Sequence, residues 1–190
     1  MKTALLLIDI QESFRQRPYW STDELPAFLA ANARLIEGAQ ALGLPIVRVL
    51  HSDGPEQADN PFARASGQVV PLRELVPVDA ALEIHKQRHS ALAGTGLPIW
   101  LQQQGIQRLI VSGIRTEQCC ETTTRHASDA GWQVDYVTEA TLTFAMTHAS
   151  GTVLSPAELK LRTETVLQDR FAEICTAAQA VERARRALAA

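Results

Sequence analysis

The first indication of the fold in this 190-residue sequence is the stretch Thr3-Ala-Leu-Leu-Leu-Ile8, which is followed immediately by Asp9. An apolar run of this length bounded by a polar residue is typical of a strand that is covered on both faces of a sheet. The run lies at the amino terminus but ends at Asp9, and no small-residue cleavage site follows. We therefore interpret it as a buried first strand and not as a signal peptide.

Short apolar runs of the same kind alternate with helical stretches along the rest of the chain. Five more strands are predicted, at Pro45–Leu50, Ala81–His85, Arg108–Ser112, Gln133–Thr138 and Phe171–Cys175. This alternation predicts an α/β fold, a three-layer α/β/α Rossmann-like sandwich with a doubly wound, mostly parallel six-stranded sheet. The length of the chain fits one domain over residues 1–190.

Helix-start and helix-stop signals divide the segments between the strands. The string Ser21-Thr-Asp-Glu24 offers a capping box for a helix that runs towards Gly43. Ser155 and Pro156 suit the cap and first position of a later helix. The other predicted helices span Leu97–Gln104 and about Glu117–Ala130, and a final helix is capped by Thr176.

The composition argues against a protein that binds nucleic acid, spans a membrane or depends on disulfide bonds. The apolar fraction is 46%, the charged fraction is 21% and the net charge is −3, which does not favour binding to nucleic acid or to anionic membranes. No apolar stretch approaches the roughly 20 residues that span a bilayer. The three cysteines, Cys119, Cys120 and Cys175, are odd in number and include an adjacent pair, which argues against a disulfide framework and favours a reducing cytoplasm.

Three residues that could carry chemistry follow predicted strands. Parallel sheets bind ligands beyond the carboxyl ends of their strands, where Asp9, Lys86 and the Gly113–Cys119 segment are expected to lie together with His51. Taken singly, each has a plainer interpretation as a turn-forming aspartate, a solvated lysine and a core cysteine. Cys120 is expected to be structural, and Cys175 to be an inert core residue.

The three residue types would work together chemically. A thiol near the start of a helix has a lowered pKa, and a neighbouring lysine would hold it as a thiolate. A carboxylate that ends an apolar strand would be partly desolvated, and is therefore a plausible acceptor for the thiol proton. This pattern favours nucleophilic catalysis by Cys119.

The sequence resembles the isochorismatase-like cysteine hydrolases, which include nicotinamidases and N-carbamoylsarcosine amidohydrolases. Three blocks carry the resemblance, in the family's order: LLLIDIQESF (5–14), HKQRHSALAGTGL (85–97) and IVSGIRTEQCCETTTRHASDAGWQV (110–134). The resemblance extends from Lys2 to about Ala140 and is weaker over the last fifty residues.

The resemblance implies a role for each of the three residues. Asp9 would be the base that takes the thiol proton, Lys86 would support the thiolate, and Cys119 would be the nucleophile. It further implies a cis peptide bond between Ile114 and Arg115, and an oxyanion hole made of the N–H groups of Arg115 and Cys119. No cofactor is consumed in such a reaction, and relatives of this kind usually form homodimers or homotetramers.

The chain departs from the zinc-binding relatives, which carry an Asp-x-His pair after the second strand. Here the order is His51-Ser52-Asp53 without a clear second histidine, so we predict no metal and interpret His51 as a residue that lines the pocket. The other predicted substrate-binding residues are Phe14, Trp20, Phe62 and Glu117. The loop Ser52–Gly67 is expected to help cover the pocket.

The predicted function is therefore cysteine-dependent hydrolysis of a small-molecule amide or ureido substrate. One alternative is a redox-sensing domain with Cys119 as its reactive thiol, although Cys120 is too close in sequence to act as a resolving cysteine. Another is a non-catalytic α/β domain that binds a nucleotide or a protein. The sequence contains neither a G-x-G-x-x-G motif after the first strand nor a P-loop.

Overall fold

A computed structural model describes residues 1–189 and contains one parallel six-stranded sheet at its centre. The strands are β1 (Thr3–Ile8), β2 (Ile46–His51), β3 (Leu82–Lys86), β4 (Arg108–Ile114), β5 (Gln133–Leu142) and β8 (Glu173–Ile174). Their order in the sheet is β3-β2-β1-β4-β5-β8, so β1 lies between β2 and β4. A separate antiparallel hairpin joins β6 (Met146–Thr147) to β7 (Val153–Leu154).

Helices cover both faces of the sheet. They are α1 (Leu25–Ala41), α2 (Leu97–Gln103), α3 (Glu121–Asp129), α4 (Pro156–Leu167) and α5 (Ala177–Ala189). Leu5 and Leu7 of β1 join the apolar cluster that includes α1 and α5, whereas Leu6 and Ile8 join the cluster that includes α2 and α3. Alternate side chains of a strand point to opposite faces, so β1 has to be apolar throughout. The predicted three-layer fold is confirmed.

No helix within residues 1–189 combines the length and the apolar character that crossing a membrane requires.

The helix starts show where short-range signals succeed and where they fail. The N-cap predicted at Ser155 is present and forms a capping box with Glu158, and Thr176 Oγ1 accepts from the Gln179 backbone N–H. The box predicted at Ser21-Thr-Asp-Glu24 is wrong, because α1 begins at Leu25 and Glu24 makes no side-chain cap. The Ser21 hydroxyl accepts instead from the backbone N–H of Asp23, two residues on, and so forms a local turn.

The segment after β4 also differs from its prediction. In place of a regular α-helix from Glu117, the chain forms one π-helical turn at Thr116–Cys120 and then continues as α3. The hairpin of β6 and β7 was not predicted, because two-residue strands are too short to show a periodic pattern.

Gly113 of β4 pairs with Ile8 of β1, with no room for a side chain between the two strands. Its φ of 137° is in the region that favours glycine, and an added Cβ would overlap the Ile8 carbonyl oxygen and lie 2.7 Å from the Ile8 carbonyl carbon. We expect Gly113→Ala to lower the free energy of unfolding by more than about 4 kcal/mol, or to abolish soluble expression. Urea unfolding measures the effect.

Gly131→Ala is the matched control for this prediction. Gly131 also has a positive φ, of 95°, but its added Cβ would meet no atom within 4 Å. Its expected loss is only about 1–2 kcal/mol, from backbone conformation alone. If both variants lost the same free energy of unfolding, the close approach of β4 to β1 would not be the cause of the loss in Gly113→Ala.

Candidate active site

The carboxyl ends of three strands converge on one buried site. Asp9 directly follows β1, Lys86 is the last residue of β3, and Cys119 lies in the π-helical turn that follows β4. Their exposed fractions are 0% for Asp9, 1% for Lys86 and 6% for Cys119. The sheet order therefore brings together three residues that are as much as 110 positions apart in sequence.

Lys86 lies between the other two residues. Its Nζ is 2.7 Å from Asp9 Oδ2 and donates a 3.3 Å hydrogen bond to Cys119 Sγ. A buried charge is tolerated only when it is paired, and here each charged group has the other as its partner. The ammonium therefore balances the Asp9 carboxylate and also contacts the sulfur.

Asp9 has an unusual backbone conformation. Its φ of 53° is in the left-handed region, which a non-glycine residue adopts rarely, although aspartate and asparagine tolerate it best. Its Oδ1 is buried and takes no hydrogen bond from the described residues. A buried carboxylate oxygen without a donor is available to accept a proton.

The electrostatics of the thiol differ from the sequence-based expectation. Burial raises the pKa of Cys119, the Asp9 carboxylate raises it further, and Lys86 offsets only part of the increase. Burial lowers the pKa of Lys86, but Asp9 and Cys119 outweigh that effect and leave it raised, so the lysine remains charged. The resting site thus holds a neutral thiol, which would have to lose its proton in order to act as a nucleophile.

Buried hydrogen bonds fix the turn that carries Cys119. The hydroxyl of Tyr136, which is fully buried in β5, donates to the Thr116 carbonyl oxygen at 2.8 Å. The hydroxyls of Thr116 and Thr141 are 2.7 Å apart. The Ile114–Arg115 peptide bond at the start of this turn is cis, as the resemblance implied.

His51, the last residue of β2, does more than line a pocket, because it contacts Lys86 directly. Its Nδ1 is 3.1 Å from Lys86 Nζ, and its ring packs edge-on against the Phe62 ring at a centroid distance of 6.0 Å. Within residues 1–189, no cluster of three His, Cys, Asp or Glu side chains is arranged to hold a metal ion.

Aromatic side chains lie around the site in two groups. The rings of Phe14 and Phe62 meet edge to face with centroids 5.1 Å apart. Trp20 and Tyr19 pack on the Phe144 ring at 5.3 Å and 5.2 Å. Tyr19 and Phe144 were not among the predicted residues. The neighbouring Arg17-Pro-Tyr-Trp20 string was the available signal for Tyr19, whereas Phe144 had none.

Glu117 is engaged by neighbouring side chains. Its Oε1 pairs with Arg115 Nη2 at 3.1 Å, and its Oε2 accepts a 2.6 Å hydrogen bond from Thr143. The Arg115 guanidinium also lies 5.0 Å from the centre of the Tyr19 ring. The Glu117 carboxylate, which was predicted to bind substrate, therefore already has a cation and a hydroxyl as partners.

Residues 3–179 match the family model described as the isochorismatase domain. The isochorismatase family protein YrdC of Bacillus subtilis is 26% identical over 182 residues, which is 95% of either chain. A structure from Chromobacterium violaceum, described as a hydrolase of this family, superposes with a TM-score of 0.86 at 27% identity and covers 97% of this chain and 94% of its own. Nicotinamidase 3 of Arabidopsis thaliana is 41% identical over 61 residues, 32% of this chain and 31% of that protein.

Proposed function

This chain belongs to the isochorismatase family of hydrolases, and we propose that it hydrolyses a small amide or ureido substrate with Cys119 as its nucleophile. The observation that carries the proposal is the buried ammonium of Lys86, which lies within 2.7 Å of a carboxylate oxygen and 3.3 Å of a thiol sulfur. In this arrangement one ammonium contacts both the nucleophile and the base. It can therefore stabilise negative charge on the sulfur or on the carboxylate as the proton moves between them.

In the first half-reaction, Cys119 Sγ bonds to the substrate carbonyl carbon while its proton passes to Asp9. The carbonyl oxygen becomes an oxyanion, for which the backbone N–H groups of Arg115 and Cys119 are the proposed donors. The intermediate then collapses, the C–N bond breaks, and Asp9 returns the proton to the leaving nitrogen. An amine, or ammonia, departs and leaves Cys119 acylated, as a thioester from an amide or as a thiocarbamate from a ureido substrate.

In the second half-reaction, Asp9 takes a proton from water as the water oxygen attacks the acyl carbon. The C–S bond breaks, the acid product leaves, and the proton returns to the sulfur. Lys86 keeps its proton in this scheme, and in the resting site both neighbours raise its pKa. Its role is to stabilise negative charge on the sulfur and on Asp9.

Release of ammonia from a panel of small primary amides and ureido acids tests this function. We expect turnover of at least one compound by the wild-type protein, undiminished by a metal chelator, and no turnover by Cys119→Ala. Ammonia release that survives the loss of Cys119 would contradict the proposal.

A further inference from the structure

The Lys86 ammonium has a third partner besides Asp9 and Cys119. The distances from Nζ are 2.7 Å to Asp9 Oδ2, 3.1 Å to His51 Nδ1 and 3.3 Å to Cys119 Sγ. An ammonium group has three N–H donors and no acceptor, so these three partners account for all of its protons. The orientation of the N–H that reaches the sulfur therefore depends on the other two partners.

The contact determines the protonation state of His51. Because Lys86 can only donate, His51 Nδ1 has to be an unprotonated acceptor, and the neutral ring carries its proton on Nε2. A doubly protonated ring would place a second positive charge beside the ammonium and remove its acceptor. Burial and then Lys86 lower the pKa of His51 from its ordinary value of 6.5, in keeping with a neutral ring at neutral pH.

The backbone of His51 is held by a buried side chain. Gln11 Oε1 accepts from the His51 N–H at 2.7 Å, and Gln11 Nε2 donates to the His51 carbonyl oxygen at 2.9 Å. Gln11 is fully buried and also donates to Ser13 Oγ at 2.9 Å. With Phe62 against the ring, this clamp sets the position from which Nδ1 faces Lys86.

We propose that His51 is a positioning residue for the nucleophile, because its neutral Nδ1 holds the Lys86 ammonium in the orientation that presents an N–H to Cys119. The inference rests on the proposed function, since it assigns a fourth member to the same site. Reactivity of the thiol then requires an unprotonated His51, and it falls as the pH drops through the pKa of this ring, which lies below 6.5. The other charged or titratable groups that act on His51 are Lys86, Asp9, Asp53 and His89.

Two substitutions separate this role from packing. In His51→Asn the amide oxygen takes the place of Nδ1 and accepts the same hydrogen bond, but the side chain does not titrate. In His51→Leu the volume is largely kept and the acceptor is lost. Alkylation of Cys119 by iodoacetamide reports on the thiol without any substrate, so it tests this inference even if the proposed reaction proves wrong.

The rate of Cys119 alkylation is followed by peptide mass spectrometry between about pH 8 and 5, with Cys119→Ala versions as the background. At pH 8 we expect His51→Asn to react within about threefold of the wild type and His51→Leu at least about tenfold more slowly. The ratio of the wild-type rate to the His51→Asn rate cancels every titration that the two proteins share. We expect this ratio to be constant above pH 7 and to fall at the lower pH at which the His51 ring takes up its second proton.

A wild-type to His51→Asn ratio that stays constant while NMR shows the His51 ring taking up its second proton would overturn the inference. So would equal slowing of His51→Asn and His51→Leu at pH 8, or a His51→Leu rate equal to that of the wild type. Failure of the proposed function would look different, because the ammonia assay would be silent while the alkylation rates still followed this pattern.

Discussion

Cys119→Ser is expected to reduce kcat/KM for amide hydrolysis by at least about a thousandfold while the fold is kept. Serine is close to cysteine in size, and the buried turn at Thr116–Cys120 can accommodate it. A hydroxyl, however, gives up its proton far less readily than a thiol, so Asp9 would no longer generate a nucleophile. Steady-state kinetics on the best amide of the panel measure the loss.

Cys175→Ala is the control for this substitution. Cys175 is a half-buried free cysteine that follows β8, on a different part of the sheet from the site. Its replacement should leave kcat/KM within about twofold of the wild type, since it contacts none of the three site residues. A Cys119→Ser variant that keeps more than a tenth of the wild-type kcat/KM would remove Cys119 from the chemistry.

Lys86→Met is expected to lower the free energy of unfolding by about 3–5 kcal/mol and to abolish measurable turnover. The substitution keeps a long side chain but leaves the Asp9 carboxylate buried at 0% exposure without its cation. An uncompensated buried charge is among the most costly defects in a protein interior. Urea unfolding and the ammonia assay on the same preparation measure both losses.

The double variant Asp9→Asn/Lys86→Met distinguishes the loss of a pair from the loss of a side chain. Asparagine tolerates the left-handed backbone of residue 9 and carries no charge, so the double variant should recover at least about 2 kcal/mol relative to Lys86→Met. It should remain inactive, because both the base and the cation are gone. A double variant no more stable than Lys86→Met would contradict the interpretation of this contact as a buried ion pair.

Patterns within single segments of the chain predicted the sheet well. The apolar run Thr3–Ile8 became β1 with the expected bounds, because covering both faces of the strand requires every residue to be buried. Polar residues at strand ends predicted that Asp9, Lys86 and Cys119 would lie at one edge of the sheet. In the structure, Asp9 and Cys119 both lie within hydrogen-bonding distance of the Lys86 ammonium.

Features that depend on contacts between distant segments could not be predicted. The contact between His51 and Lys86 requires neighbouring strands β2 and β3 to end in register, where these two residues pair. The raised pKa of Cys119 follows from burial and from Asp9, whereas the local pattern showed only the helix start and the lysine. The π-helical turn depends in part on the Tyr136 hydroxyl, which bonds across 20 residues of sequence.

Partitioning between water and hydroxylamine tests the thioester on Cys119 most directly. The wild-type protein is given the amide that it hydrolyses fastest, or the N-methylamide of the same acid, with hydroxylamine present. A shared acyl-enzyme predicts hydroxamate and acid in one ratio, the same for both leaving groups, because the amine has departed before the products diverge. A ratio that changes with the leaving group would show that the products diverge before the amine departs and would contradict the account.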